Sequence, residues 1–181
     1  VYENPDKDLS ARVKELKAME ERSDRLAFDI TQYLIYCTSS ELSRKRLNEV
    51  TVMLRVISEL EEICDCAYNL VRLAEQKYNK QRVLPEGTQE AIRNFCGPVD
   101  QFMSFYIESL TRKVTMADIE AAQQLEDTID ASRQKLRREA VRRMSDQANI
   151  KSEMLYIDIL NNIEGIGDHS LNILKLLGQI D

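Results

Sequence analysis

One acidic pattern, Glu-x-x-x-Asp-x-x-x-Asn, occurs twice in this sequence at an offset of 103 residues. Its two copies consist of Glu61, Asp65 and Asn69, and of Glu164, Asp168 and Asn172. Residues four apart lie on one stripe of an α-helix, so each copy predicts a polar helical stripe. Leu and Ile residues flank both stripes, and a carboxylate beside an apolar core must be paired, protonated or bound to a cation. The pattern therefore indicates a duplicated helical fold with two related acidic sites.

The duplication extends upstream to a second acidic pair in each half, at an offset of 106 residues. These pairs are Glu20 with Asp24 in the first half and Glu126 with Asp130 in the second. The offset changes between the two motifs, where a turn is expected. Each half is therefore predicted to contain at least two helices that carry acidic residues.

The composition favours long helices and argues against some classes of binding partner. The chain of 181 residues has five Gly, three Pro and 31% charged residues, a balance typical of helical proteins. Its net charge of −6 argues against nucleic acid as a partner, because phosphate binding needs a basic face. No apolar run approaches the ~20 residues of a membrane-spanning helix.

Hydrophobic periodicity and breaks predict five helices and no strands, an all-α fold. Helix one is expected to begin near Asp6. The clearest break is the stretch Pro85–Thr88, and Thr115 with Asp118 is typical of a capping box at the start of helix four. Gly97-Pro98 predicts a kink or an end within helix three.

Five helices do not divide evenly between two copies. We interpret them as tandem three-helix bundles in which the first helix of the first bundle is missing. Residues 1–84 would form the first repeat with two helices, and residues 85–181 the second repeat with three. The missing helix would lie upstream of Val1, or a second copy of the chain would fill its place, which makes a homodimer an expected partner.

The acidic residues of each half are expected to meet in space. The midpoint between the acidic pairs falls near residue 42 in the first half and near residue 147 in the second, close to the predicted turns. With ~1.5 Å of rise per residue, the pairs then lie at equal height on antiparallel helices. Four carboxylates at one point require a counter-cation, and oxygen ligands favour Mg²⁺, Ca²⁺, Mn²⁺ or iron. The eight candidate metal ligands are Glu20, Asp24, Glu61, Asp65, Glu126, Asp130, Glu164 and Asp168.

Other residues support no catalytic site. A di-iron carboxylate enzyme needs Glu-x-x-His pairs, whereas the single His169 lies five residues after Glu164. A structural adaptor whose acids bind nothing is an open alternative. Asn69 and Asn172 are candidates to hydrogen bond to the metal-ligating carboxylates without contacting the metal themselves. Six basic residues on helix four are interpreted as a solvated face, with anionic lipid, phosphate or an acidic partner as the alternative; they are Arg133, Lys135, Arg137, Arg138, Arg142 and Arg143.

The stretches around the two acidic motifs, residues 57–69 and 156–172, resemble the signature of the PhoU family, and the likeness extends from about residue 8 to residue 178. The resemblance implies two tandem three-helix bundles that bind iron or another metal and regulate phosphate uptake. It carries over Glu61, Asp65, Glu164 and Asp168 as metal ligands, with the preceding acidic pairs beside them. The expected ion is a divalent or trivalent metal: iron, Mn, Mg, Ca or Zn.

Two departures from the family pattern bear on the context of the chain. Free-standing PhoU proteins usually have Arg after the motif Glu, where this chain has Glu62 and Gly165. That feature and the missing helix are similar to the PhoU-like cytoplasmic domain of sodium/phosphate cotransporters. We therefore expect a cytoplasmic module tethered to or docked on the inner face of the membrane. Its partner would be the membrane domain of a phosphate transporter or a phosphate-sensing protein, and a free-standing PhoU-type regulator is the alternative.

Overall fold

The structure, a computed structural model, describes residues 9–39, 41–146 and 149–180, and the helix start expected near Asp6 lies outside them. The described residues form five α-helices: α1 (Ser10–Cys37), α2 (Arg44–Asn79), α3 (Thr88–Ser109), α4 (Met116–Ser145) and α5 (Ile150–Leu177). No strand occurs within the described ranges. The all-α fold predicted from the sequence is confirmed.

Side-chain caps fix the starts of three helices. Ser43 accepts a backbone hydrogen bond at the start of α2, and Asn149 does so at the start of α5. At α4, Thr115 and Asp118 form the predicted capping box, and Asp118 also pairs with Arg112 at 2.6 Å. Each cap satisfies N–H groups that have no partner in the first helical turn. The caps therefore hold the turns that set how the helices face one another.

The third helix does not end at Gly97-Pro98, which was one of the two outcomes predicted there. α3 continues through Pro98 without a break. A proline inside a helix costs roughly 3 kcal/mol, because it removes a hydrogen bond and crowds the preceding turn. Here the helix is buried on both sides of the proline, where Phe95 and Phe102 are 3% and 0% exposed. Packing of this apolar face outweighs the local cost.

The helices are arranged as a three-helix bundle and a hairpin. α3, α4 and α5 pack against one another around a core that includes Phe102, Ile129, Leu160 and Leu174. α1 and α2 form the hairpin, and α2 packs along α5. Contact between α2 and α5 therefore joins the two halves of the duplication.

The first half presents an open apolar face. Among the described helices α1 packs only against α2, whereas its counterpart α4 packs against both α3 and α5. Large apolar side chains of α1 consequently lie exposed, and these are Met19, Leu26, Phe28, Ile30, Tyr33, Ile35 and Tyr36. None of the described helices has the length and apolar character needed to cross a lipid bilayer.

Candidate metal centre

The hairpin of α1 and α2 brings acidic residues from both helices together. Glu20, Asp24 and Asp65 each place one carboxylate oxygen within 4.8 Å of the others. We call these three residues the first acidic cluster. Next to it, the hydroxyl of Ser23 donates a hydrogen bond of 3.3 Å to the sulfur of Cys64, which ties the two helices at this height. The arrangement offers three oxygen donors to one ion.

The first acidic cluster has no ion-pair partner among the described residues. Lys17, one turn before Glu20, pairs with Glu21 at 3.6 Å instead. Burial, and then the charges of Asp24 and Asp65, raise the pKa of Glu20. Burial, and then Asp24 and Glu62, raise the pKa of Asp65. The ionised cluster is therefore destabilised in the folded protein, and a bound cation would relieve that repulsion.

The other predicted residues of the first half lie outside this group. Glu61, one turn before Asp65, is partly buried but does not bring an oxygen within 4.8 Å of the other three acids. Asn69, one turn after Asp65, lines a groove together with Asp158 and Asn162 of α5. The structure therefore places Asn69 at the contact between α2 and α5.

In the second half, α4 and α5 bring Glu126, Asp130, Glu164 and Asp168 into electrostatic contact, and we call these four the second acidic cluster. Burial, followed by the three other acids, raises the pKa of Glu126, which is only 9% exposed. Burial also raises the pKa of Glu164. No three of the four carboxylates, however, come within 4.8 Å of one another as they do in the first acidic cluster.

Arg133 lies inside the second acidic cluster. Its Nη2 atom is 2.6 Å from Oδ1 of Asp130, and its Nε atom is 3.3 Å from Oε1 of Glu164. Gln134 donates a hydrogen bond of 2.6 Å to the other oxygen of Asp130. The interpretation of Arg133 as part of a solvated face is corrected, because its side chain is only 20% exposed and bridges α4 to α5. The i to i+3 spacing from Asp130 was the available sequence signal.

A polar group outside the acidic clusters connects the two halves. Nδ1 of His169 lies 2.8 Å from Oε2 of Glu59, and the amide of Asn172 donates a hydrogen bond of 3.2 Å to the same oxygen. Asn172 therefore contacts Glu59 of α2. Sequence reasoning missed Glu59, since nothing in its local pattern distinguishes it from other acids on α2.

A close approach accompanies this contact. A Cβ atom added to Gly165 would lie 3.0 Å from the sulfur of Cys66, closer than nearly all such contacts. The glycine after the motif Glu therefore allows α5 to approach α2. Burial, and then the nearby acids, raise the pKa of the Cys66 thiol to about 11, so it is uncharged at neutral pH.

The two acidic clusters differ in how well they suit a metal ion. The first supplies three carboxylate oxygens from two helices without an internal cation, which fits a hard or borderline cation. Glu20 and Asp24 would hold such an ion from α1, and Asp65 from α2. In the second cluster Arg133 already supplies a positive charge.

Comparison with known proteins identifies a family and a solved structure that match this chain. The model of a family described as the PhoU domain matches residues 1–74 and 99–177. The crystal structure of PhoU from Pseudomonas aeruginosa aligns with a TM-score of 0.80 and 19% sequence identity, over 96% of this chain and 83% of that chain. At this identity the likeness concerns the fold. Curated proteins gave no significant sequence match.

A helical hairpin joined to a three-helix bundle, with the acidic motif in both halves, defines a duplicated all-α domain. The chain belongs to the PhoU domain family. The resemblance seen in its acidic motifs is thereby confirmed. PhoU domains are non-enzymatic and are related to the regulation of phosphate transport and sensing.

Proposed function

We propose that this chain is a metal-binding regulatory module of phosphate uptake. The observation that carries the proposal is the convergence of Glu20, Asp24 and Asp65 from two helices. Membership of the PhoU domain family supports the connection to phosphate transport. The ion is a divalent or trivalent metal of the group iron, Mn, Mg, Ca and Zn, because carboxylate oxygens are the donors.

Metal occupancy would act on the packing of α1 against α2. A bound ion supplies the positive charge that offsets the three carboxylates of the first acidic cluster. Because Glu20 and Asp24 lie on α1 and Asp65 lies on α2, binding joins the two helices. Since α1 packs only against α2 among the described helices, this joint controls how α1 presents its exposed apolar residues.

The open face of α1 is where we place the partner. Its exposed aromatic residues Tyr33 and Tyr36 are of the kind that dominates protein interfaces. We propose the membrane domain of a phosphate transporter as the partner, with the module at the inner face of the membrane. A phosphate-sensing protein and a second copy of the chain are the alternatives for the same face.

Attachment to a sodium/phosphate cotransporter is the form that Glu62 and Gly165 support. The likeness to PhoU from Pseudomonas aeruginosa equally supports a free-standing regulator. The residues encoded before Val1 separate the two forms: several apolar spans there would support attachment, and a start codon one helix earlier would support the free-standing protein.

Metal binding is tested on the purified protein after treatment with a chelator. We expect dialysis against Mn²⁺ or Fe²⁺ to leave bound metal by elemental analysis and to raise the thermal unfolding temperature. Asp65→Asn should abolish both effects, whereas Asp29→Asn, an exposed acid of α1 outside the cluster, should leave them unchanged. A protein that retains no metal and melts at the same temperature with and without it would instead be a structural adaptor.

Regulation is tested in cells that carry Asp65→Asn in the chromosomal gene. If the metal-bound module controls the transporter, phosphate uptake should respond differently to external phosphate in these cells than in cells with Asp29→Asn. Equal uptake in both strains, with equal protein levels, would remove the connection between the cluster and transport.

A further inference from the structure

We propose that Arg133 is the resident cation of the second acidic cluster, so that metal binds only at the first acidic cluster. The inference rests on the proposed function, because it states which of the two halves binds the metal. It also departs from the equivalence of the halves that the duplicated motif predicts. Arg133 lies between acids of two helices, 2.6 Å from Asp130 on α4 and 3.3 Å from Glu164 on α5.

Three of the eight carboxylate oxygens of the second acidic cluster already face Arg133 or Gln134. Oδ1 of Asp130 pairs with Arg133, and Oδ2 accepts a hydrogen bond of 2.6 Å from Gln134. Oε1 of Glu164 is the atom that Arg133 approaches. An ion at this place would also meet the positive guanidinium a few ångströms away, where partial burial strengthens their repulsion. Metal binding there requires Arg133 to leave.

At the position that the duplication relates to Arg133, the first half has no cation. The offset of 106 that relates Glu20 to Glu126 and Asp24 to Asp130 relates Ala27 to Arg133. The methyl group of Ala27 carries no charge, and the counterpart of Gln134 is Phe28, which is 64% exposed. The second copy therefore has its own cation, Arg133, at the position where the first copy has Ala27 and leaves the positive charge to a bound ion.

The test measures bound Mn²⁺ per chain by equilibrium dialysis and elemental analysis after removal of metal with a chelator. We expect one equivalent in the unmodified protein and two in Arg133→Met, which keeps an unbranched apolar stem but removes the guanidinium and its charge. Ala27→Arg should bind none, and the double variant with both changes should bind one. Arg137→Met, an exposed basic residue of α4, serves as the matched control and should behave as the unmodified protein.

A second measurement does not depend on metal occupancy of the unmodified protein. In chelator, Arg133→Met should unfold at lower denaturant concentration than Arg137→Met, because only the former leaves the second acidic cluster without a cation. Added Mn²⁺ should recover that loss. A cooperative unfolding transition of Arg133→Met would also show that this variant is folded.

The outcomes separate the inference from the proposed function. Two equivalents in both the unmodified protein and Arg133→Met would overturn the inference and leave metal regulation intact. No metal in the unmodified protein but one equivalent in Arg133→Met would support the resident cation and overturn the first acidic cluster as a site. No binding by any variant, with no difference in unfolding between the two Arg variants, would overturn both.

Discussion

Arg143 of α4 meets both carboxylate oxygens of Glu153 of α5, at 2.6 and 2.9 Å, although the side chain of Glu153 is completely buried. The guanidinium also lies 5.6 Å from the centre of the Tyr156 ring. A charge taken out of water is tolerated only when it is paired and hydrogen-bonded. The pair therefore holds α4 and α5 together near the turn that joins them.

Removal of Arg143 should be strongly destabilising. Arg143→Ala leaves the carboxylate of Glu153 buried without its partner, and we expect a loss of about 3 kcal/mol in the free energy of unfolding. Arg142→Ala, its exposed neighbour, should change stability by less than about 0.5 kcal/mol. Urea titration of both variants measures the difference. Replacement of both partners by Leu should cost less than Arg143→Ala, and an equal or larger cost would contradict the explanation.

The basic residues of α4 show where sequence reasoning reaches its limit. Arg133 and Arg143 pair with acids of α5, whereas their neighbours Arg137, Arg138 and Arg142 form no ion pair among the described residues. An amphipathic stripe defines which face of a helix is buried, but not which residues meet across two helices. That depends on helix rotation and axial register, which a one-dimensional pattern does not determine.

The height of the acidic pairs, in contrast, was predictable. In each half the position of the turn fixes the height, because antiparallel helices rise equally from it. The midpoints near residues 42 and 147 lie close to the observed turns, between Cys37 and Arg44 and between Ser145 and Ile150. What the pattern could not show is the difference between the two clusters, which lies in the contacts of Arg133 and Gln134 and in the wider spacing of the second set of carboxylates.

Asp118 should contribute stability that depends on pH. Hydrogen bonds from Arg112, and then from Thr115, hold the pKa of Asp118 well below its ordinary value of 3.8. A carboxyl with a lowered pKa in the folded state stabilises the protein above its unfolded pKa, and this contribution is lost as the pH falls below about 3.8. Asp118→Asn should therefore be less stable than the unmodified protein at pH 7, and the difference should shrink at pH 3.

Denaturant titrations at the two pH values measure this difference. Glu120→Gln changes an exposed acid of the same helix and should show no comparable effect. A loss in Asp118→Asn that is equally large at both pH values would indicate packing instead of charge as its cause.

Glu126 should show the opposite dependence on pH in protein kept free of metal by a chelator. Its raised pKa arises from burial and from facing acids, which are Asp168, Asp130, Glu164 and Asp127. A carboxyl with a raised pKa in the folded state favours folding below its unfolded pKa, and that contribution is lost as the pH rises through the folded value. Relative to Glu126→Gln, which stays neutral, the unmodified protein should lose stability between pH 4 and pH 7. If the unmodified protein were instead more stable relative to Glu126→Gln at pH 7 than at pH 4, the charge of Arg133 would also offset the negative charge of Glu126.

The contact between the halves should depend on Glu59. Glu59→Ala removes the shared acceptor of His169 and Asn172, and we expect a loss of about 1.5 kcal/mol, typical of hydrogen bonds to a charged group. Glu75→Ala on the same helix should cost less. Hydrogen exchange should show faster opening where α2 contacts α5 and unchanged protection in α3. Uniform loss of protection would argue against a local link.

The last prediction concerns the close approach of α5 to α2. Replacement of a helical glycine by alanine normally stabilises a protein by about 1 kcal/mol, because glycine loses more backbone entropy on folding. At Gly167 the nearest atoms would lie 3.5 Å from an added Cβ, an ordinary contact, so Gly167→Ala should show most of this gain. At Gly165 the added atom would lie 3.0 Å from the sulfur of Cys66, so Gly165→Ala should gain nothing or lose stability.

Shortening the opposing side chain distinguishes this clash from other causes. Against a Cys66→Ala background, Gly165→Ala should recover a gain similar to that of Gly167→Ala, because the sulfur no longer opposes the new methyl group. Thermal unfolding of the two single glycine variants, the Cys66 variant and the double variant provides the complete cycle. If Gly165→Ala is as stabilising with Cys66 present as without it, α5 does not approach α2 closely enough for the glycine to matter, and the contact that joins the two halves is looser than the structure indicates.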